Sequence, residues 1–450
     1  MKRSMKKQFI SLLLCITMLL PIFSACSTDA TSESKGDEKG DKIELTFWHS
    51  MGGNGGEGVD HLVKKFNEEN DQNIHVKAVY QGEYDDALTK LRSSASGKDV
   101  GADLVQVFEL GTSYMIDSGL IKPMQEFIDV EGYDISQIEP NLAAYYTIDG
   151  KLNSMPFNSS TPLLYYNKDI FEKAGIKEAP SSLEELKEVA PALMEEGGAE
   201  MAISMSIYGW WLDQWMNKQG LDMWNNENGR AGKPTEVSFD DNGGMEKALT
   251  AWKDLYDEGY APNVGRKGGT PEFVSGKSAM TFASTASLTQ ILDEVGEKFE
   301  VGTAYFPAVS EDDPQGVSIG GASLYAIDSG DEEKMNAVWE FVKFLISPES
   351  QAYWNQQTGY FPITTAAQEE KVFKDNIAEK PQFQTAIDQL HDSNPESQGA
   401  LSPVYQESRQ IMESEVENML NGNVTPKQAT KNMAEQIQAA MENYNLANKK

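Results

Sequence analysis

Cysteine is nearly missing from this 450-residue chain. Cys15 and Cys26 stand alone, too few for a disulfide framework and without the spacing of a Cys-based metal or redox site. Histidine is just as sparse: His49, His61, His75 and His391 form no H-E-x-x-H or similar ligand spacing, so no metal or other cofactor is expected. Basic residues are outnumbered, with 38 Lys and Arg against 70 Asp and Glu and a net charge of −32. That balance excludes nucleic acid, or an anionic membrane, as a partner bound through a basic face. It says little about a small ligand, because charges more than about 8 Å away are screened at physiological salt. Solenoid repeats are absent, as is any second long apolar run after the N-terminus.

What is present begins with that N-terminus. Lys2, Arg3, Lys6 and Lys7 precede an apolar stretch from Phe9 to Phe23, which closes on Phe23-Ser24-Ala25-Cys26. The stretch is short for a bilayer span and ends in small residues, so residues 1–25 are expected to be a cleaved export signal. The four closing residues resemble the lipobox of bacterial lipoproteins, with Phe23 where that group usually carries Leu. The resemblance implies a lipidated Cys26. Residues Ser27 to Asp41 contain no large apolar side chain and cannot bury enough surface to offset their ordering entropy, so 26–41 is expected to be a flexible tether. The protein would then be extracytoplasmic and lipid-anchored to the outer face of the cell membrane. Cys15 leaves with the signal, so the mature chain needs a large apolar core in place of disulfides; roughly 400 residues can supply one or two.

The body alternates strand and helix signals. Glu44 to Trp48 reads as a buried strand, and Val59, Leu62, Val63 and Phe66 then recur at helical spacing. His75–Tyr80 and Asp103–Phe108 are two further strands flanking a helical stretch through Ala87, Leu88 and Leu91. This order predicts α/β units over a mainly parallel sheet. Leu183–Met194 and Met245–Tyr256 are amphipathic, and Pro191 is expected to kink or end the first. Ala279–Ala283 and Ala322–Ile327 are short strands, after which helices dominate. Met335, Val338, Trp339, Val342 and Leu345 line one helix face; Ala429, Met433, Ile437, Ala440 and Met441 line another. A body of this size suits two lobes with a cleft between them, where open α/β sheets place their ligands.

Several segments are unusual for a plain scaffold. Pro156-Phe157-Asn158-Ser159-Ser160-Thr161-Pro162 brackets four polar residues with prolines. It reads either as a stiffened crossing loop or as a set of hydroxyls and N–H groups facing a ligand. Gly320-Gly321 before a strand permits close backbone approach. Ser284-Thr285-Ala286-Ser287 precedes a helix, as caps alone or as caps that also present the helix N-terminus to an anion. Thr358-Gly359-Tyr360-Phe361-Pro362 places an aromatic in a turn, and Arg409 is one of very few arginines. Singly, each is better explained by structure than by function.

Together, in this order, with Phe47-Trp48-His49-Ser50-Met51, Leu164-Tyr165-Tyr166-Asn167-Lys168-Asp169, Val264-Gly265-Arg266-Lys267 and Ile319 to Leu324, they resemble the glycerol-3-phosphate branch of the bacterial extracellular solute-binding proteins. That large family includes the maltose receptor. The resemblance implies an α/β, two-lobe periplasmic-binding-protein fold of type II, with the ligand cleft between lobes joined by a hinge. Read onto this chain, it gives one lobe from 42–156 plus 285–327 and the other from 157–284 plus 328–450. It also implies a binding role for an ABC importer and no catalysis. The site residues it carries over are Tyr84, Glu109, Ser160, Ser284, Gly321, Tyr360 and Arg409, with Trp210 or Trp211 as candidates from a Trp-rich segment.

The chemistry of these residues implies a division of labour. Glu109 accepts hydrogen bonds from glycerol hydroxyls but repels phosphate, so it is expected at the far end of the ligand from Arg409. At the phosphate end, hydroxyls, the Gly321 N–H and the Arg409 fork supply donors. Tyr84 and Glu109 come early in the chain and Tyr360 and Arg409 late, which would serve closure if they sat on opposite lobes. The expected partners are glycerol 3-phosphate or a glycerophosphodiester such as glycerophosphocholine, and the permease subunits, with the protein itself a monomer. The alternatives are an oligosaccharide receptor of the same fold, suggested by the Trp and Tyr content, and a surface glycoside hydrolase using two carboxylates. No spacing marks out such a carboxylate pair.

Overall fold

The computed structural model describes residues 42–95, 100–313, 316–394 and 398–448. The expected leader, Cys26 and the tether lie outside the described residues.

Strand β1 (Ile43–His49) alternates as its sequence requires, with Leu45, Phe47 and His49 buried and Glu44 exposed. The helix Gly53–Glu69 then buries Val59, Leu62, Val63 and Phe66. It returns the chain to β2 (Ile74–Tyr80), parallel to β1 with Leu45 opposite Val76. A second helix, Tyr84–Ala95, leads to β3 (Leu104–Phe108), parallel to β1 on its other side. These are the α/β units predicted. The short strand β4 (Ile121–Lys122) and the hairpin β5 (Thr147–Ile148) with β6 (Lys151–Leu152) follow.

The segment Pro156–Pro162 is strand rather than loop. β7 (Met155–Ser160) ends in the first sheet and β8 (Pro162–Asn167) begins the second, with Thr161 between them. Both prolines fall where a strand tolerates them: Pro156 at a register shift opposite Ser323, Pro162 at the first position of β8. The second sheet is completed by β9 (Met201–Ser204), β10 (Ser278–Ser284) and β11 (Val301–Tyr305), in the order β11-β8-β10-β9. The chain then returns in β12 (Gly320–Ile327), antiparallel to β3, so the first sheet runs β2-β1-β3-β12-β4 with β7 also paired to β12.

Strand pairing divides the chain differently from the boundaries expected. Of residues 285–327, β11 belongs to the second sheet and β12 to the first. Residues 157–160 complete β7 in the first sheet. After residue 328 the helix Glu332–Leu345 packs on β1 and the helix Pro348–Thr358 packs on Gly53–Glu69, both on the first sheet's side, while Gln382–Asp392 packs on β11. The chain crosses between the sheets at other positions than the expected boundaries, because each amphipathic helix goes to whichever sheet face its apolar stripe can cover.

Pro191 does not end its helix, which runs Leu183–Glu195. Leu186, Ala190 and Leu193 are fully buried and the helix packs against β9; that burial offsets the one backbone hydrogen bond that proline forfeits. The C-terminal helix Pro426–Ala447 carries a Thr425/Gln428 capping box and buries Ala429, Met433, Ile437 and Met441. Among the described residues, no helix is long and apolar enough to cross a membrane.

Candidate functional site

A cavity of about 260 Å³ opens between the two sheets. Its first-sheet side is built by Tyr84, which opens the helix after β2, Phe108 and Glu109 at the end of β3, Ser160 at the end of β7, Gly321 on β12, and Tyr360 after the helix Pro348–Thr358. Facing them are Ser206, Tyr208, Trp210, Trp211, Thr270, Phe282, Ser284 and Ser287 from β10 and the elements packed around it. Six of the seven positions singled out in the sequence therefore meet in one cavity, along with both candidate tryptophans.

A line of donors converges on Tyr84. The Ser50 N–H donates to Gln106 Oε1 at 2.8 Å, Gln106 Nε2 donates to Asn158 Oδ1 at 2.7 Å, and Asn158 Nδ2 donates to the Tyr84 hydroxyl at 2.7 Å. With its oxygen already accepting from an amide, Tyr84 has its own proton free for another acceptor. The Tyr360 hydroxyl lies 3.3 Å away, and the cavity lies beyond it. Tyr84 is held in place by stacking on Phe108, with centroids 5.1 Å apart, and Tyr360 by stacking on Trp354 at 6.0 Å. Burial pushes both phenols above their ordinary range, so each stays a neutral donor.

The Gly320-Gly321 pair does two separate things. Gly321 has φ +90°, and a Cβ there would lie 2.1 Å from the Asn158 carbonyl oxygen. Gly320 makes room for Trp210, whose ring would be 2.5 Å from any Cβ. The two tryptophans are not equivalent. Trp211 donates its indole N–H to the Ser206 carbonyl at 3.1 Å, whereas the Trp210 N–H is buried with no partner while its ring lines the cavity. A buried unpaired donor is costly, which makes Trp210 the tryptophan with hydrogen-bonding capacity to give. At the other end, the Ser284 hydroxyl accepts from the Ala286 N–H at 3.2 Å and opens the helical turns that follow, and Ala286 and Ser287 also line the cavity.

Arg409 is placed differently from expectation. It lies in the helix Tyr405–Leu420, only 5% exposed, and lines a neighbouring cavity that shares Tyr84, Phe108 and Tyr208 with the first. Its Nη1 donates to Glu109 Oε1 at 2.9 Å and its Nε donates to Asp213 Oδ2 at 2.6 Å. Glu109 and Arg409 are thus ion-paired rather than at opposite ends of a ligand. Chain position does not divide the lobes either: Tyr84 and Tyr360 share one wall. The acid and the base pair because neither could be buried alone; transfer of an isolated charge from water costs several kcal/mol or more. Burial raises the Glu109 and Asp213 carboxyls above their ordinary range, with Arg409 opposing that rise. Burial acts to lower the Arg409 guanidinium, but Asp213 and Glu109 outweigh it and hold it well above its usual range.

Asp213 was not among the sequence candidates. Its signal was present, as a lone acid inside the run Tyr208–Trp215. Tyr208 is held by Arg266, whose guanidinium sits 4.2 Å over its ring and pairs with Glu413 at 2.9 Å. Burial pushes the Tyr208 phenol up to about 12. No group of His, Cys, Asp and Glu among the described residues has the geometry of a metal site.

Two sheets with a polar, aromatic-walled cavity between them define the binding-protein class of fold, and comparison with known proteins places the chain within it. The model for bacterial extracellular solute-binding proteins matches residues 61–385, and the chain belongs to that family. It is 34% identical over 395 residues to the sn-glycerol-3-phosphate-binding periplasmic protein UgpB of Escherichia coli K12, covering 86% of this chain and 89% of that one. The UgpB of Yersinia pseudotuberculosis is 33% identical over 418 residues, covering 90% and 94%. Among solved structures, UgpB from Mycobacterium tuberculosis in complex with glycerophosphocholine superposes with a TM-score of 0.75 at 24% identity, over 90% of this chain and 99% of that one. The sugar-binding protein MalE from Xanthomonas citri gives 0.74 at 20% identity, over 90% and 98%. The fold is the two-lobe, type II periplasmic-binding-protein fold.

Proposed function

We propose that this protein captures glycerol 3-phosphate or a glycerophosphodiester outside the cell and delivers it to the permease of an ABC importer. The observation that carries this reading is the convergence of Tyr84, Glu109, Ser160, Ser284, Gly321, Tyr360 and Trp210 on one 260 Å³ cavity. Hydroxyl and indole donors suit phosphate oxygens, while the Glu109 carboxylate accepts from glycerol hydroxyls. Hydrogen bonds to a charged group contribute roughly 1.5–3 kcal/mol each, so a few suffice for micromolar binding after association costs. Ligand contact with both walls would draw the sheets together, and the closed form would dock on the permease. Side-by-side calorimetric titration with glycerol 3-phosphate, glycerophosphocholine and maltose tests this. Heat with maltose alone would move the assignment to the sugar-binding reading that the aromatic walls favour.

The protein acts without catalysis in this reading. Glu109 is the carboxylate lining this cavity, and its tie to Arg409 leaves it unsuited to acid–base work on a glycosidic bond. Turnover of any candidate glycan would overturn that. Residues 1–25 are the leader and Cys26 the lipid attachment point of a membrane-tethered monomer; Cys26→Ser should shift the protein from the membrane fraction to the medium.

A further inference from the structure

Two buried carboxylates share one guanidinium beside the cavity. Glu109, Asp213 and Arg409 are 6%, 5% and 5% exposed, and the group as a whole holds one excess negative charge. Glu109 forms part of the cavity wall, Arg409 lies one hydrogen bond behind it, and Asp213 lies behind Arg409 on the helix Gly209–Lys218 that also carries Trp210 and Trp211. The second oxygen of Asp213 is buried without a hydrogen bond of ordinary geometry, with the Tyr405 side chain beside the carboxylate, an expensive placement for a carboxylate whose role is packing alone. The cavity lining includes no Lys or Arg among the described residues. In the neighbouring cavity the remaining bases, Arg266 and Lys267, stand beside Glu83, Asp85 and Glu413.

We infer that Asp213 is a specificity-determining residue that turns the cavity toward phosphodiesters and against phosphomonoesters, by completing with Glu109 the neutralisation of Arg409. A monoester carries about 1.5 to 2 negative charges at neutral pH, while a diester keeps one. Beside a nearly buried group that already holds one excess negative charge, the additional charge is repelled more strongly than it would be in bulk solvent. Removing the Asp213 charge while keeping its shape would leave one carboxylate for one guanidinium and relieve that repulsion.

This inference rests on the glycerol phosphate reading, and the test separates the two. The full mature chain is titrated by calorimetry with glycerol 3-phosphate, its methyl diester and glycerophosphocholine. Wild type should bind both diesters at least about tenfold more tightly than the monoester, and Asp213→Asn should narrow that ratio by about tenfold. Glu109→Gln removes the other carboxylate of the group; it should narrow the ratio in the same direction and serves if Asp213→Asn does not fold. Binding with an unchanged ratio in the variants overturns the role of Asp213 and leaves the glycerol phosphate reading standing. A methyl diester that binds wild type no better than the monoester does the same, since the choline cation would then be what is selected. Wild type binding none of the three overturns both.

Discussion

Replacing Arg409 by alanine separates a binding role from a structural one. Sequence reasoning alone makes Arg409 a phosphate ligand whose loss weakens binding and spares the fold. The structure predicts more damage. Arg409 is the guanidinium paired with both Glu109 and Asp213, all three nearly inaccessible. Breaking a buried ion pair by removing one partner costs about 3–5 kcal/mol, because a charge is left uncompensated; here two are. Against a typical total of about 5–15 kcal/mol, Arg409→Ala should lower the denaturant midpoint severely at pH 7.5. The stranded carboxyls can escape by protonating, so much of the loss should be recovered near pH 5. A triple variant with Arg409→Met, Glu109→Gln and Asp213→Asn removes the charges together and should fold better than Arg409→Ala alone. Denaturant unfolding followed by tryptophan fluorescence measures all of this. An Arg409→Ala protein within about 0.5 kcal/mol of wild type, the range of ordinary surface substitutions, would refute the reasoning.

Other predictions follow from single features. Gly321→Ala forces a methyl to 2.1 Å from the Asn158 oxygen at a φ of +90°, so it should destabilise by at least about 1–3 kcal/mol and abolish ligand binding, as read by thermal melting and calorimetry. Asn158→Leu removes the donor to Tyr84 and orphans Gln106, and should weaken ligand binding about tenfold with a smaller effect on melting. The raised carboxyls of Glu109 and Asp213 take up protons in the folded state before the unfolded chain does. Their contribution therefore favours the fold most below the ordinary carboxylate range and is lost as pH rises through their raised values. Melting of the unliganded protein should rise as pH falls from neutral toward the ordinary carboxylate range, and this rise should be smaller in Asp213→Asn.

Much of the site was legible through the resemblance that the ordered motifs carry, and its residues sit where periodic elements end. Glu109 follows β3, Ser160 ends β7 and Ser284 ends β10, and open α/β sheets present ligands at such ends. Gly321 came with that resemblance, and the structure supplies its reason: only a residue without a Cβ meets both its φ and its neighbour. The pairing of Glu109 with Arg409 was not legible, since these residues are 300 positions apart and nothing local specifies the approach of one helix to one strand end. Nor was the choice between Trp210 and Trp211, because their sequence neighbourhood is nearly the same and the difference lies in the Ser206 carbonyl that one of them finds.

The positions whose chemistry suits a phosphorylated polyol came through the resemblance of ordered motifs to a family. The amino-acid order by itself determined the element sequence and the core stripes. These depend on side-chain period and residue type, which act within a few residues of chain. Tertiary structure decided which sheet each helix covers, where Thr161 carries the chain from one sheet to the other, and that two acids close on one arginine beside the cavity. Those outcomes depend on how distant surfaces share burial and charge, a balance set only once the chain has closed on itself.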